Sequence, residues 1–373
     1  MSILSKYETY ETANDEIDRA IATLKGLEEE FSPIKKPLDS LTISTFFPLN
    51  LPIYSLVIFG IAPSAFAKNV FIRPPEVMHE VLTELYSYLK INDLFPNISL
   101  HAVQRYIFMD LYAYESDVII FTGKYENALD IHKKCPQALL VYNGSGINPF
   151  VVLENADIDL AVQKAVEMRC FNSGQDCAGP DAFFVPHTLS DLFVGKLQQE
   201  LENIKVGSSA DPKVRVSKTI KNTYIEKLKE FLTKERENLA FGGEIDYDKH
   251  LVYPSIVRKT LQEHGTESFH EFFAPVFYIL EYNNTSELER TLLSQDFKDH
   301  TMYICLFGSD ENLKKKLGFA TVVENQIVND VEFGNGQYGG YGSKSNFLLY
   351  GDIKIDRPML ISRDIHEILA DRV

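Results

Sequence analysis

Short strand-like segments alternate along this chain with helical segments, and this alternation constrains the fold more than any other feature of the sequence. LTISTFF (41–47) and NVFIRPP (69–75) have strand composition, whereas PEVMHEVLTELYSYLK (75–90) has helical periodicity. ISLHAV and SDVIIFTG follow as further strands. Since crossover helices join parallel strands, the alternation predicts α/β architecture. A helix is also predicted over residues 14–31, with an apolar stripe at Ile17, Ile21, Leu24, Leu27 and Phe31.

The same alternation resumes near residue 147 and predicts a second α/β domain. The predicted helices there are ADIDLAVQKAVEMRCF, KNTYIEKLKEFLTKERENL and SDENLKKKLGF. The predicted strands are NPFVVL, DAFFVP, EFFAPVFYILEY, TMYICLFG and QIVND. We therefore expect domains at 1–146 and 147–340. Residues 341–373 are expected to return to the first domain or to an interface, and their end, ISRDIHEILADRV, to be helical.

The charge of the chain argues against several classes of partner. A net charge of −16 gives no non-specific attraction to nucleic acid or to an anionic membrane surface. The first residues lack the basic start and apolar run of a signal peptide, and the most apolar stretch, residues 51–67, is interrupted by two prolines and a glycine. We therefore expect a cytoplasmic protein with no membrane span. Neither a disulfide framework nor a metal site is indicated by the four cysteines and their spacing.

FNSGQDC, residues 171–177, leads from a predicted helix to a predicted strand and ends on a cysteine. The local sequence leaves two interpretations open for Cys177, an inert packed thiol and a catalytic one. A catalytic thiol needs partial exposure and a field that favours the thiolate, and the polar neighbours Asn172, Gln175 and Asp176 are compatible with such a site. GNGQYG (334–339) matches G-x-G-x-x-G without a following helix, so it predicts a glycine-rich loop near a site rather than a dinucleotide turn.

Several segments of this chain, in order, resemble the aldehyde dehydrogenase superfamily over roughly residues 15–365. FNSGQDC resembles the signature F-x-N-x-G-Q-x-C around the nucleophile, and the YGGYGSKS loop fits the C-terminal pattern. The other similar segments are FPLNLP (47–52), NVFIRPPE (69–76), IIFTGK (119–124), NPFVVLENADIDLAV (148–162) and EFFAPV (271–276). Because these segments agree in order, the resemblance is far more specific than any single motif.

The resemblance implies a Rossmann-like cofactor domain, shortened at its N-terminal part, and an α/β catalytic domain. It implies that Cys177 attacks an aldehyde carbonyl, that Asn50 and the Cys177 amide hold the oxyanion, and that hydride transfer leaves a thioester on Cys177. The cofactor-binding residues that it implies are Glu271, which would hold the nicotinamide ribose, Phe273, Arg73, Glu76, Gly123 and Lys124. A carboxylate at Glu76 favours NAD, and the charge of Lys124 leaves NADP open.

One departure from the family pattern concerns the release of the acyl group. Asn143 occupies the position of the family's general-base glutamate, and an amide has no basic lone pair for a water proton. The interpretations that stay open are an aldehyde dehydrogenase that forms the acid, an acylating enzyme that uses coenzyme A or a carrier thiol, and a degenerate member with a binding or structural role. The expected partners are a small aldehyde or acyl-thioester and a second copy in a homodimer. Phe171, Phe46 and Phe47 are candidates for a substrate tunnel, with core packing as the alternative.

Overall fold

The computed structural model describes residues 1–34, 40–144 and 146–369. Its strands form two seven-stranded sheets and one small hairpin. The strands are β1 (Thr42–Phe46), β2 (Asn69–Arg73), β3 (Ile98–Leu100), β4 (Val118–Thr122), β5 (Leu139–Asn143), β6 (Asn148–Val152), β7 (Pro180–Pro186), β8 (Leu239–Phe241), β9 (Ile245–Asp246), β10 (Leu251–Val252), β11 (Ser255–Thr260), β12 (Val276–Tyr282), β13 (Tyr303–Phe307), β14 (Thr321–Glu324), β15 (Asn346–Tyr350) and β16 (Ile353–Ile355).

Helices cover these sheets and connect their strands. The α-helices are α1 (Tyr10–Phe31), α2 (Pro52–Leu56), α3 (Ala62–Ser64), α4 (His79–Tyr88), α5 (Ile91–Leu94), α6 (Arg105–Leu111), α7 (Tyr125–Lys134), α8 (Ile158–Cys170), α9 (His187–Glu202), α10 (Asn222–Lys234), α11 (Leu261–His264), α12 (Thr285–Leu292), α13 (Gln295–His300), α14 (Glu311–Lys316), α15 (Val328–Val331) and α16 (Ile361–Leu369). A π-helical segment, Val57–Ile61, joins α2 to α3, and one 3₁₀ turn, Phe171–Gly174, matters for the site. None of the helices in the described residues has the length and apolarity that a bilayer span requires.

The first sheet has the strand order β16-β15-β5-β4-β1-β2-β3. Strands β1 to β5 are parallel, and β15 and β16 from the end of the chain add an antiparallel edge. The order reverses between β1 and β4, which lie side by side. In open parallel sheets, ligands bind at the carboxyl ends of the strands beside such a reversal. Asn50 follows β1 and Gly123 follows β4, so both lie at this edge.

The second sheet has the order β14-β13-β6-β7-β12-β11-β8, and only β8 runs antiparallel to its neighbour. Every residue of β7 and of β12 is buried, as expected for central parallel strands with both faces covered. Phe307, Phe150, Phe183 and Phe277 form a row across four neighbouring strands, with ring centroids 4.6 to 5.3 Å apart. Cys177 precedes β7 and Glu271 precedes β12, so both lie at the amino edge of this sheet.

The predicted alternation of strands and helices is confirmed in both halves of the chain, with one segment wrong. QIVND was expected to be a strand, but Val328 begins the short helix α15, and the neighbouring strand is β14 instead. The Asp330 carboxylate accepts the Ile327 N–H at 3.0 Å, a local bond that favours the start of a helix. The predicted C-terminal helix is α16, and residues 370–373 lie outside the described part of the chain.

The first helix is confirmed, but its apolar stripe does not form its buried face. Ile21 and Leu24 are 46% and 41% exposed, and the buried face contains Thr12, Ala13, Glu16, Ala20, Thr23 and Glu30. Polar groups are tolerated there because they have partners. Glu16 accepts hydrogen bonds from the amides of Ile53 and Tyr54, at 3.1 and 3.2 Å, and so caps the start of α2. Helix α1 therefore uses its polar face to hold other elements around the cleft described next.

Candidate active site

The turn before Cys177 has an unusual backbone. Asn172, Ser173 and Gly174 have φ values of 45°, 59° and 76°, three left-handed residues in succession. A Cβ on Gly174 would lie 2.3 Å from the carbonyl carbon of Ala274, so only glycine allows the turn to approach the segment before β12 this closely. Left-handed non-glycine residues cost free energy, and they persist where surrounding contacts enforce them.

The polar side chains of FNSGQDC supply those contacts. Asn172 donates to the Gln175 carbonyl at 3.0 Å, and its own amide donates to Thr12 Oγ1 at 3.1 Å. Ser173 Oγ accepts from the Ser217 amide at 2.8 Å, and Gln175 Oε1 accepts from the Ile220 amide at 2.8 Å. These residues therefore position the turn through hydrogen bonds to distant segments, which a motif alone does not reveal.

Cys177 is half-buried, whereas the chain's other three cysteines are buried. Its carbonyl accepts a hydrogen bond from Asn148 Nδ2 at 2.8 Å, which fixes the end of the turn to the start of β6. Burial raises the pKa of the Cys177 thiol well above its usual range, and the negative charges of Asp176, Glu271 and Glu332 raise it further. The protein alone therefore keeps this thiol protonated at neutral pH, and a nucleophilic role requires a group that accepts its proton.

Asn50 lies beside the same turn. Its Nδ2 donates to the Gln175 carbonyl at 3.2 Å, across the gap between the carboxyl edge of the first sheet and the amino edge of the second. Its carbonyl accepts from Ser55 Oγ at 3.3 Å. A side-chain amide held against the turn has a second N–H to offer, so Asn50 is placed as a donor next to Cys177.

Asn143 is the last residue of β5 and is buried. The Tyr338 hydroxyl donates to its Oδ1, whereas its buried Nδ2 has no hydrogen-bond partner in the described part of the chain. A buried donor without a partner is costly, and such groups are commonly found where a ligand or water binds. The structure thus brings Asn143 to the cleft with one free donor and no basic group.

Cys177, Asn50 and Asn143 line one cavity of about 120 Å³, together with Arg19, Tyr338 and Ser362. Phe171 also lines it, but Phe46 and Phe47 do not, because they pack into the cores on either side of the first sheet. The loop 334–339, expected near a site, contributes Gly334 and Tyr338.

Arg19, Glu332 and Tyr338 are among the lining residues that the sequence did not point to. They reach the cavity through tertiary contacts between segments far apart in the chain. The one available sequence signal was the expectation that the glycine-rich loop containing Tyr338 works near a site.

A second group of residues surrounds the carboxyl ends of β2 and β4. Gly123 has a φ of +149° and donates its amide to the Asn143 carbonyl at 3.1 Å. Lys124 is exposed at the start of α7, whose first turn has no side-chain cap. Arg73 Nε donates to the Val103 carbonyl at 3.1 Å, and Glu76 is exposed nearby. Burial lowers the pKa of Arg73, and the charge of Glu76 opposes that shift.

Glu271 and Phe273 precede β12, and the Glu271 carboxyl interacts electrostatically with Cys177 of the first group and Lys124 of the second. The Oε1 atom of Glu271 is buried without a partner among the described residues. Burial raises its pKa well above the usual range, as does the charge of Asp181, while the charges of Arg169 and Lys124 lower it. Phe273 has a φ of 48° and stacks on Tyr224, with ring centroids 5.1 Å apart.

A further missed residue is Lys221, just before α10. Burial lowers its pKa, the charge of Lys124 lowers it further, and the charge of Glu76 raises it. Lys221 therefore lies within electrostatic reach of two predicted cofactor residues. Its Nζ is 6.0 Å from the centroid of the Tyr224 ring.

The fold and the site together define a class of protein. A Rossmann-like parallel sheet, a second α/β unit and a half-buried thiol in the cleft between them are typical of dehydrogenases with a catalytic cysteine. The profile of the Aldehyde dehydrogenase family matches residues 13–336, and the chain therefore belongs to the aldehyde dehydrogenase family. The resemblance seen in the sequence is confirmed by this match.

Individual relatives are distant. Lactaldehyde dehydrogenase of Methanococcus aeolicus is 26% identical over 207 residues, covering 55% of this chain and 43% of its own length. The chain spans about half the length of the curated relatives it matches.

Solved structures agree in fold. Glyceraldehyde-3-phosphate dehydrogenase of Methanocaldococcus jannaschii, complexed with NADP, has a TM-score of 0.77 at 20% identity, covering 95% of this chain and 85% of that one. Betaine aldehyde dehydrogenase of Staphylococcus aureus, in complex with NAD⁺, has a TM-score of 0.76 at 19% identity, covering 95% and 80%. The predicted aldehyde dehydrogenase-like α/β fold is confirmed.

Proposed function

We propose that this protein is an NAD(P)-dependent oxidoreductase that interconverts an aldehyde and its acyl level through a thioester on Cys177. The observation that carries the proposal is the meeting of Cys177 and Asn50 in one cleft, at the facing edges of the two sheets. Residues 1–146 with the returning segment 341–373 would bind the cofactor, and residues 147–340 would carry the nucleophile. The relatives named above act on different aldehydes, which supports the substrate class without selecting a member.

Cys177 forms the new bond in this proposal. The thiol gives up its proton to solvent, the sulfur bonds to the carbonyl carbon, and the electron pair of the carbonyl π bond moves to the oxygen, which becomes an oxyanion. The Asn50 side chain and the Cys177 amide are the donors for that oxyanion. A preorganised donor at this position is worth roughly 3–4 kcal/mol in comparable sites.

The residues at the edge of the first sheet fit a dinucleotide cofactor. The free Oε1 of Glu271 is an acceptor for a ribose hydroxyl, and Lys124 with the uncapped start of α7 suits a phosphate. Phe273 stacks on Tyr224, Gly123 has the positive φ that its turn after β4 requires, and Arg73 adds positive charge. When bound, the cofactor supplies the hydride acceptor. Exposed Glu76 favours NAD, whereas Lys124 and Lys221 would tolerate the extra phosphate of NADP.

Asn143 supports a second candidate, in which a thiol takes the acyl group away. An amide does not accept a proton from water, so a coenzyme A or carrier thiol is the alternative acceptor. A family member without activity is the third interpretation, and the presence of Cys177, Asn50 and Asn143 in one cleft argues against it.

A homodimer stays a prediction, and the molecular mass measured by sedimentation tests it.

Incubation with an aldehyde and NAD or NADP, with and without coenzyme A, tests the proposal. We expect reduced cofactor to appear at 340 nm by the ordinary absorbance assay for nicotinamides. Turnover that requires coenzyme A would select the acylating candidate. Cys177→Ala should abolish hydride transfer and keep cofactor binding, measured by calorimetry, and retained activity in that variant would contradict the assigned nucleophile.

A further inference from the structure

Deacylation needs a proton acceptor that position 143 does not provide. A water that attacks the thioester loses a proton as its oxygen bonds to the acyl carbon, and general bases contribute about 10²–10⁴-fold to such steps. The carboxylates that line the same cavity as Cys177 are Glu30, Asp176 and Glu332. Their hydrogen bonds distinguish them.

Two of these carboxylates already have structural partners. Glu30 accepts from Asn335 Nδ2 at 2.7 Å through one oxygen and from the Ser362 hydroxyl through the other. Asp176 accepts from the Ala178 amide at 3.1 Å, which ties its carboxylate to the turn beside Cys177. Glu332 is therefore the remaining carboxylate of the three that can act as a base.

Glu332 follows α15 and is held through its backbone. Its carbonyl accepts from Arg19 Nη1 at 2.9 Å, and Arg19 Nη2 donates to the Asn329 carbonyl at 2.9 Å. The Arg19 guanidinium on α1 thus holds the C-terminal end of α15, which Glu332 follows. The Glu332 carboxylate itself has no hydrogen-bond partner in the described ranges, and it is half-buried in the wall of the cavity.

We propose that Glu332 is the catalytic base that removes a proton from the water attacking the Cys177 thioester. This proposal rests on the proposed function. One water O–H bond breaks, its proton moves to the Glu332 carboxylate, and the water oxygen bonds to the acyl carbon. The C–S bond then breaks with its electron pair on Cys177, and the proton on Glu332 returns to the sulfur. The products are the carboxylic acid and the free thiol, with no change in oxidation state.

The electrostatics of the cavity support this role. Burial raises the pKa of Glu332 to about 7, the charges of Asp176 and Asp15 raise it, and that of Arg19 lowers it. A base of that pKa is half-deprotonated at neutral pH, where general-base catalysis is efficient. The other titratable groups that feel its charge are Tyr54, Tyr303, Tyr338 and Cys177.

Hydrolysis of 4-nitrophenyl acetate without cofactor isolates this step. A burst of 4-nitrophenolate reports acetylation of Cys177, and the steady-state rate reports deacetylation by water. We expect Glu332→Gln to keep the burst and to lower the steady-state rate about 10²-fold. The wild-type rate should rise with pH through about 7, and the variant should lose that rise.

Three controls make the result specific. Glu332→Asp should restore part of the rate. Hydroxylamine, a nucleophile that does not need a base, should deacetylate the wild type and Glu332→Gln at similar rates. Glu324→Gln, on β14 and paired with Lys314, should leave both phases unchanged.

Several outcomes overturn the inference. A steady-state rate in Glu332→Gln within about twofold of the wild type, with the pH profile intact, removes Glu332 as the base. A wild-type acetyl-enzyme that turns over only when a thiol is added shows that water is not the acceptor. A wild-type protein without a burst contradicts the nucleophilic role of Cys177 itself, and the role of Glu332 is overturned with it.

Discussion

Asn143 is buried at the end of β5, and its surroundings decide what a replacement would do. The Tyr338 hydroxyl that donates to its Oδ1 would donate equally to a carboxylate. We expect Asn143→Glu to raise steady-state hydrolysis of 4-nitrophenyl acetate about tenfold in the Glu332→Gln background, because a proton acceptor is restored at the cavity wall. Asn143→Gln is the matched control without a base. An unchanged rate with an intact burst would contradict the placement of residue 143 beside the acyl group.

Arg169 is fully buried, and its replacement should lower the free energy of unfolding. Its Nη1 lies 3.4 Å from Asp181 Oδ1, and its Nε donates to the Val276 carbonyl at 3.1 Å. Arg169→Met leaves the Asp181 carboxylate buried and unpaired, which should cost about 3–5 kcal/mol in the free energy of unfolding, measured with urea. The double variant Arg169→Met with Asp181→Leu should lose less, since both buried charges are removed. Equal losses in the two variants would mean that lost packing, not the unpaired charge, sets the cost.

The turn FNSGQDC is an element whose shape, more than its composition, makes the site. Gly174→Ala places an alanine at a φ of 76°, and its Cβ would lie 2.3 Å from the Ala274 carbonyl carbon. The turn must therefore shift. We expect at least a 10²-fold loss of the burst rate with 4-nitrophenyl acetate, since displacing a nucleophile by about 1 Å has effects of that order. Gly195→Ala, with open space around its Cβ in α9, is the control that should keep the rate. Equal activity in both variants would mean that the turn tolerates the shift.

At the scale of elements, the sequence predicted the strands and helices well because their apolar periodicities follow local rules. The strand predicted for QIVND was wrong because the Asp330 carboxylate accepts a hydrogen bond from the Ile327 N–H, and this bond stabilises a helical turn. The prediction of the buried face of α1 was also wrong, because the polar residues on that face have hydrogen-bond partners on segments far away in sequence. Motifs predicted Cys177, Asn50 and Asn143 as site residues, and the three line one cavity. Arg19 and Glu332 line it through tertiary contacts that no local pattern encodes.

For the whole molecule, buried acids set a pH dependence of stability. Burial raises the pKa of Glu332 to about 7 and that of Asp181 to about 6, and it also raises those of Glu8 and Asp176. The folded state therefore holds protons that the unfolded chain releases near pH 4. The stability that these acids contribute is fully present below that pH and is lost as pH rises through 6 to 7. We expect the free energy of unfolding in urea to change less favourably from pH 5 to pH 8 in the wild type than in Glu332→Gln, because the variant lacks one of these acids. An equal difference would mean that Glu332 does not share in this linkage.

The cavity wall includes Arg19 near one end of the chain and Ser362 near the other. This span has a consequence for biosynthesis. At about 5–20 residues per second, a ribosome needs on the order of tens of seconds to pass from the first of these residues to the last. In the later part of that interval the nascent chain already carries Cys177, but the cleft around the thiol is incomplete. Cys177 is therefore synthesised before its enclosure is complete, and its thiol is more exposed in the nascent chain than after α16 has docked.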